Sequence, residues 1–328
     1  EITKDGNPNY FKLPVHSANP ILYFINKDFK QLLPYFNMAM QSTVGNDVTA
    51  DFLFRAWLNG QESAKTMLFN FADKSPIARK KIIDALDIDE TSKVWEVGPG
   101  LGAMTAEILS RGAELTVFEI DRGFISILKE IFSDYIDNGK LNIVEGDVLK
   151  TWKKVYQEKG IPDRFFGNLP YNISATIIAD MIENKVRFEK AVVTVQKEVA
   201  MRMAAKQNTE DYSSFSILCQ WAYNVKNLMD LPGGNFWPRP NVDSRTVVMS
   251  RKEEFPCCKN PDAFMKLQRA LFVSRRKTVR NNLSPLFNNS EEVLKVLEEA
   301  NINPMARAES LSIEQLLMLS DIINNGII

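Results

Sequence analysis

The chain has 328 residues, enough for one large domain or two ordinary ones, and its 45% hydrophobic and 25% charged content is ordinary for a globular protein in water. A formal charge of −1 disfavours binding of nucleic acid by bulk charge, no apolar run approaches a membrane span, and residues 1–30 carry no secretory signal pattern. Cys219, Cys257 and Cys258 lack framework spacing, which argues for a reducing compartment, and His16 as the single histidine argues against zinc.

In chain order, residues 1–75 mix aromatics, asparagines and prolines without a sustained period, apart from helices expected near 28–36 and 48–58. The start at Glu1 suggests that a segment upstream is missing. Ser75-Pro76 fits a helix start, and Ile77–Leu86 supplies an amphipathic helix. Lys93–Val97 reads as a buried strand, followed by a glycine turn and a helix over 103–111. Leu115–Ile120 is a second strand, with a helix to about Tyr135. Leu141–Val144 and Arg164–Gly167 read as strands three and four, with a helix over 174–184. Ala191–Val195 is a fifth strand with a helix after Gln196, and Asn224–Leu231 with Thr246–Arg251 fits a terminal antiparallel pair. Beyond 258 the strand signal vanishes and three or four helices remain. Strands alternating with helices predict an α/β fold with a doubly wound parallel sheet, and the shift in composition predicts an all-helical C-terminal domain. The expected division is a poorly assigned segment 1–67, an α/β domain 68–255 and a helical domain 256–328.

Glu96-Val97-Gly98-Pro99-Gly100-Leu101-Gly102 closes the first strand. A chain that reverses there while its backbone approaches a cofactor has no room for side chains at Gly98, Gly100 and Gly102. The G-x-G-x-G spacing departs from the dinucleotide fingerprint and fits the methionine end of S-adenosylmethionine better. Glu96 suits the cofactor's ammonium or its methyl-donor end. Glu119 closes the second strand, where a carboxylate accepts ribose hydroxyls. Asp121 is a further cofactor candidate that also suits a helix cap. Asp147, after the third strand, suits the cofactor's adenine amino group. Three carboxylates at successive strand ends line the crevice in which open parallel sheets bind ligands.

Asn168-Leu169-Pro170-Tyr171 follows the fourth strand at the same edge. Pro170 stiffens the turn and helps aim the Leu169 carbonyl and the Asn168 side-chain oxygen at one point. Two such acceptors bind the amino hydrogens of an adenine, and Tyr171 offers a face on which an extruded base stacks. With the glycine turn, this arrangement suits in-line methyl transfer to the amino nitrogen without a strong base. A proline turn with a core tyrosine is the plain alternative. Residues 265–280 hold Lys266, Arg269, Arg275, Arg276, Lys277 and Arg280 with no acid. Such a run is either a solvated helix face or, beside a base-binding motif, a phosphate-contacting surface.

These motifs resemble the ribosomal RNA adenine N6,N6-dimethyltransferase family, whose pattern matches Glu96–Thr105, Glu119–Asp121, Gly146-Asp147 and Asn168–Ile173. Further likeness lies in Gln196–Ala200, Tyr212–Ser216, Phe236–Ser244, Phe272–Lys277 and Arg307–Ser312, so that it spans about residues 68–325. The resemblance implies a class I (Rossmann-like) methyltransferase domain, S-adenosylmethionine as cofactor, and a helical domain that helps seat RNA. It implies dimethylation of two adjacent adenines near the 3′ end of small-subunit rRNA during ribosome assembly, with the small ribosomal subunit as partner and the cytoplasm as compartment. Phe236 becomes a second aromatic wall opposite Tyr171, and Lys197 joins Arg275, Arg276, Lys277 and Arg280 as RNA-binding candidates. Nothing in the sequence demands an oligomer, so a monomer is expected. The family's G-Q-N-F-L-x-D motif is replaced by Leu68–Asp73, and Asn70 alone is carried over as a cofactor residue. Three other readings compete. A large-subunit adenine methyltransferase of the antibiotic-resistance type is disfavoured by Leu169 and the long C-terminal half. A non-catalytic nucleic-acid-binding relative is disfavoured by intact Asn168–Tyr171 and Glu119. An NAD-dependent oxidoreductase is disfavoured by the glycine spacing.

Overall fold

A computed structural model describes residues 76–233 and 242–323. Its elements run α1 (Pro76–Leu86), β1 (Lys93–Val97), α2 (Ala103–Ser110), β2 (Glu114–Glu119), α3 (Arg122–Ile131), α4 (Ser133–Asp137) and β3 (Leu141–Glu145). Then come α5 (Val148–Lys159), β4 (Arg164–Asn168), α6 (Ser174–Glu183), β5 (Lys190–Gln196), α7 (Lys197–Met203), α8 (Ser214–Ala222), β6 (Tyr223–Leu231) and β7 (Ser244–Arg251). The C-terminal part holds α9 (Pro261–Leu271), α10 (Val279–Leu283), α11 (Ser290–Glu299), α12 (Ile313–Ile323) and two short 3₁₀ turns. The helices expected near 28–36 and 48–58 lie outside the described residues.

The strands form one sheet in the order β3-β2-β1-β4-β5-β7-β6, with β1 to β5 parallel and β7 and β6 antiparallel. The doubly wound reading is borne out, and so is the terminal antiparallel pair. Alternate residues feed opposite faces. Val94, Leu115, Val117, Phe166 and Val192 are buried on the side of α1 and α2, while Trp95, Phe118, Phe165 and Val193 join a second cluster with Trp152 of α5 and Ile177 of α6. Trp95 meets Phe118 edge-on at 5.2 Å, an arrangement that the ring quadrupole favours.

The second cluster runs without a break into the C-terminal helices. Trp221 of α8 lies 4.6 Å from Phe264 of α9 and 4.5 Å from Phe255, centroid to centroid.

Three local features differ from the sequence reading. The helix expected to reach Tyr135 is interrupted at Phe132, whose N–H closes α3 on Leu128 while its carbonyl accepts from Tyr135 and Ile136, each at 3.0 Å. Two further helices, α5 and α8, are absent from the sequence reading. In α5 only Val148, Trp152 and Val155 are buried among charged residues, whereas α8 is buried almost all round.

Candidate active site

β1 has β2 on one side and β4 on the other, and the chain leaves these two central strands in opposite directions across the sheet. That reversal opens a crevice at their carboxyl ends. The glycine turn enters it from β1 and the Asn168 turn from β4.

The two turns touch. Gly98 has φ +73°, and a Cβ placed on it would stand 2.8 Å from the Asn168 carbonyl oxygen. Any side chain at Gly98 would therefore strain the backbone and push the turns apart. Behind Asn168, a Cβ on Gly167 would fall 2.4 Å from Cδ2 of Leu169, a side chain only 1% exposed with little room to yield. The Leu169 N–H donates to the Thr194 carbonyl at 3.1 Å, extending the β4–β5 ladder one residue into the turn. Asn168 and Pro170 remain exposed and Tyr171 is half-buried. Among the described residues no hydrogen bond occupies the Asn168 side chain or the Leu169 carbonyl; Asn168 is exposed, whereas Leu169 is buried.

Glu96 is fully buried on the α2 side. Its Oε2 accepts from the Thr105 hydroxyl at 2.7 Å, while Oε1 has no partner among the described residues. Burial pushes the carboxyl up to about 8, and the neighbouring Glu119 charge adds to the rise, with the Thr105 bond opposing it. An orphaned acidic oxygen beside a glycine turn fits a cationic ligand group such as an ammonium. Glu119, at the end of β2, receives the N–H groups of Ile120 and Asp121 on Oε1, each at 2.9 Å, and that of Gly100 on Oε2 at 3.4 Å. These bonds hold the carboxylate against the glycine turn, and the long, weak bond leaves Oε2 free for a hydroxyl. The residues present therefore fit a nucleoside that carries an amino acid, such as S-adenosylmethionine.

Asp121 caps α3, its Oδ1 accepting from Gly123 at 2.7 Å and Phe124 at 3.0 Å, so the cap role open to it is realised. Asp147 likewise caps α5 through Leu149 at 3.0 Å, and Lys150 stands 4.0 Å from its other oxygen. Two further residues at this edge escaped the sequence reading. Ile120 is 68% exposed between Glu119 and Asp121, an apolar face suited to a flat base; its signal was a bulky apolar residue between two carboxylates at a strand end. Ser244 shares a hydrogen bond with the Tyr171 hydroxyl, which no local pattern announces across 73 residues.

Among the cationic candidates, Lys197 pairs with Asp230 at 3.0 Å, and Arg245 pairs with the same carboxylate. These two cations hold the Asp230 carboxyl well below the usual range, Arg245 contributing most. The basic run is not one helix face. α9 stops at Leu271, the Asn282 amide donates to the carbonyls of Leu271 and Ser274 at 2.8 and 3.0 Å, and Arg275, Arg276 and Lys277 lie on the turn that follows. Arg275 is bound internally, to Glu309 at 3.1 Å and to the Glu210 carbonyl. Arg276 and Lys277 are exposed, Arg280 is half-buried, and none of the three has an ion pair among the described residues. Asn70 and Phe236 lie outside the described residues. A cavity of about 300 Å³ beneath Trp95 and Thr116 opens at the amino ends of β1 and β2 and faces none of these groups. No helix of the described residues is long and apolar enough to cross a membrane.

The sequence matches the ribosomal RNA adenine dimethylase family over residues 65–325. A Treponema denticola protein, ribosomal RNA small subunit methyltransferase A, is 45% identical over 252 residues, which cover 75% of this chain and 85% of the relative. Its namesake from Streptococcus thermophilus is 39% identical over 256 residues, covering 75% of this chain and 87% of the relative. Among solved structures, a dimethyladenosine transferase from Plasmodium falciparum superposes with a TM-score of 0.67 at 28% identity, covering 76% of this chain and 96% of its own. The 23S rRNA methyltransferase ErmE gives 0.57 at 21% identity, covering 77% and 99%, a likeness of fold alone. The chain thus belongs to the ribosomal RNA adenine dimethylase family and is an S-adenosylmethionine-dependent methyltransferase.

Proposed function

We propose that the chain dimethylates N6 of two adjacent adenines near the 3′ end of small-subunit ribosomal RNA. The observation that carries this reading is the contact between the glycine turn at Gly98 and the carbonyl of Asn168, which joins a cofactor cradle to a base-binding turn. The names of the relatives from Treponema denticola and Streptococcus thermophilus support the small subunit as substrate. S-adenosylmethionine, when bound, supplies an electrophilic methyl group.

The chain's own residues do the rest. Glu96 accepts from the ammonium, Glu119 from the ribose hydroxyls, and Asp147 from the cofactor's adenine amino group, with Ile120 against that base. The Asn168 side-chain oxygen and the Leu169 carbonyl accept from the target amino group and favour tetrahedral character at nitrogen. Tyr171 stacks the extruded base. Because the amino nitrogen attacks as a neutral lone pair and loses its proton after methylation, no buried general base is needed beforehand. Arg276, Lys277 and Arg280 contact RNA phosphates, while Arg275 orders their turn. Residues 68–255 form the catalytic domain and 256–328 the RNA-seating helical domain. The protein works as a monomer on the cytoplasmic small ribosomal subunit.

The test is transfer of labelled methyl from S-adenosylmethionine to unmethylated small subunits, with naked large-subunit rRNA in parallel and nucleosides identified by chromatography. N6,N6-dimethyladenosine on the small-subunit substrate alone supports the reading. Label on large-subunit RNA moves the chain to the resistance branch, and RNA binding without any transfer makes it a non-catalytic relative.

A further inference from the structure

We infer that Ser244 is a positioning residue for methyl transfer, its buried hydroxyl fixing the Tyr171 ring in the orientation that receives the target base. This rests on the reading of Tyr171 as that base's stacking face. The hydroxyls of Tyr171 and Ser244 share a hydrogen bond, and no other described residue bonds to the Ser244 side chain. Ser244 is completely buried at the start of β7, where its backbone pairs with Gln196 of β5 on one side and Leu231 of β6 on the other. A residue held in two ladders is a fixed point.

Tyr171 stands on a less constrained segment. Its turn is held by Ile173 N–H donating to the Pro170 carbonyl at 3.1 Å and the Ser174 hydroxyl donating to the Tyr171 carbonyl at 3.3 Å. Those bonds fix the backbone but leave rotation about the two side-chain torsions. The phenol bond to Ser244 removes that rotation. A phenylalanine would stack a base as well as a tyrosine does, so the hydroxyl has a separate task, and its partner shows what the task is. With the ring fixed, a base lying on it meets the Asn168 and Leu169 acceptors in one register.

The second transfer is the more demanding one. The nitrogen then carries a methyl group and a single hydrogen, so fewer orientations of the base present its lone pair. Loosening the ring should therefore slow the second methyl more than the first, and monomethyl product should accumulate. The β5–β7–β6 ladder uses backbone groups only, and so survives loss of the Ser244 hydroxyl.

Single-turnover transfer by the full chain to unmethylated small ribosomal subunits tests this with Ser244→Ala, Tyr171→Phe, the double variant and Tyr171→Ala. Ser244→Ala and Tyr171→Phe should each slow transfer by about 3- to 10-fold, the scale of one net hydrogen bond. Each should raise the share of N6-monomethyladenosine while leaving cofactor affinity unchanged. The double variant should be no slower than either single one, since both remove the same bond. Multiplicative losses in the double variant, or wild-type rates and product ratios in both single variants, overturn the inference. If Ser244→Ala fails to fold, Tyr171→Phe carries the test with β7 untouched. Tyr171→Ala separates the two readings: full activity there sinks base stacking itself, whereas loss there with normal Ser244→Ala sinks only the role of Ser244.

Discussion

Glu96 is a carboxyl with one donor, no solvent and an acidic neighbour, and in the free protein it is therefore held protonated well above the usual carboxylate range, to about 8. Between the unfolded value near 4.5 and about 8, the native state keeps a proton that the unfolded chain has released. Stability from this group accordingly falls as pH rises through that window. Ammonium binding favours the ionised form, so cofactor binding expels the proton. Affinity for S-adenosylmethionine should rise with pH from 6 to 8, by up to about tenfold per unit. Glu96→Gln should flatten both trends, as read by calorimetric titration and by melting temperature against pH. A wild-type affinity independent of pH would detach Glu96 from the ammonium. Asn168 acts at the other end of the transfer. Replacing it with alanine removes one of two acceptors for the reacting amino group, so transfer should fall by about 10²-fold or more, with cofactor affinity far less affected. An unchanged single-turnover rate would remove Asn168 from the chemistry.

The turn between α9 and α10 shows how elements redistribute roles that look alike in sequence. Arg275, Arg276 and Lys277 are indistinguishable as a basic run, yet Glu309, 34 residues later, pairs with the first, and the other two have no ion pair among the described residues. Reversing Arg276 and Lys277 to glutamate should weaken RNA binding and reduce its salt slope by about 1.4 or more, from about 0.7 per single-strand phosphate contact. Arg275→Glu should instead lower the melting temperature, because it faces Glu309 and loses the Glu210 carbonyl. Equal loss of salt slope in all three single variants would restore the undivided basic surface. The strands were far more legible than this turn. Lys93–Val97 is marked by an apolar run ending in glycines, and Asn168 by the Pro-Tyr that follows, so the carboxyl-edge residues could be read locally. The contact of Gly98 with Asn168, the bond from Tyr171 to Ser244 and the pairing of Arg275 join residues 34 to 73 positions apart, and no local period encodes them. α8 was illegible for a different reason: a helix buried on nearly every side has no polar face to reveal its period.

At the scale of the molecule, composition divides the chain near residue 256, but packing does not. Trp221 precedes that point and Phe264 follows it, and both belong to the cluster that continues to Leu316 and Leu319 of α12. Phe255 links them, covered by the Arg187 guanidinium 3.8 Å from its ring centre. A boundary bridged by buried aromatics transmits destabilisation, because packed side chains cannot shift independently. Phe264→Ala should therefore cost about 3–5 kcal/mol, and the sheet and the C-terminal helices should melt together in one lowered transition. S-adenosylmethionine, whose candidate ligands all precede residue 256, should raise that whole transition rather than part of it, since ligand linkage acts on the entire cooperative unit. Calorimetry with and without cofactor measures this directly. Two transitions, of which Phe264→Ala moves one and the cofactor the other, would mean that the helical part folds independently and orients RNA as a separate body. One transition moved by both would mean that the RNA-seating turn is held rigidly relative to Asn168, so that affinity gained at Arg276 and Lys277 acts at the target base.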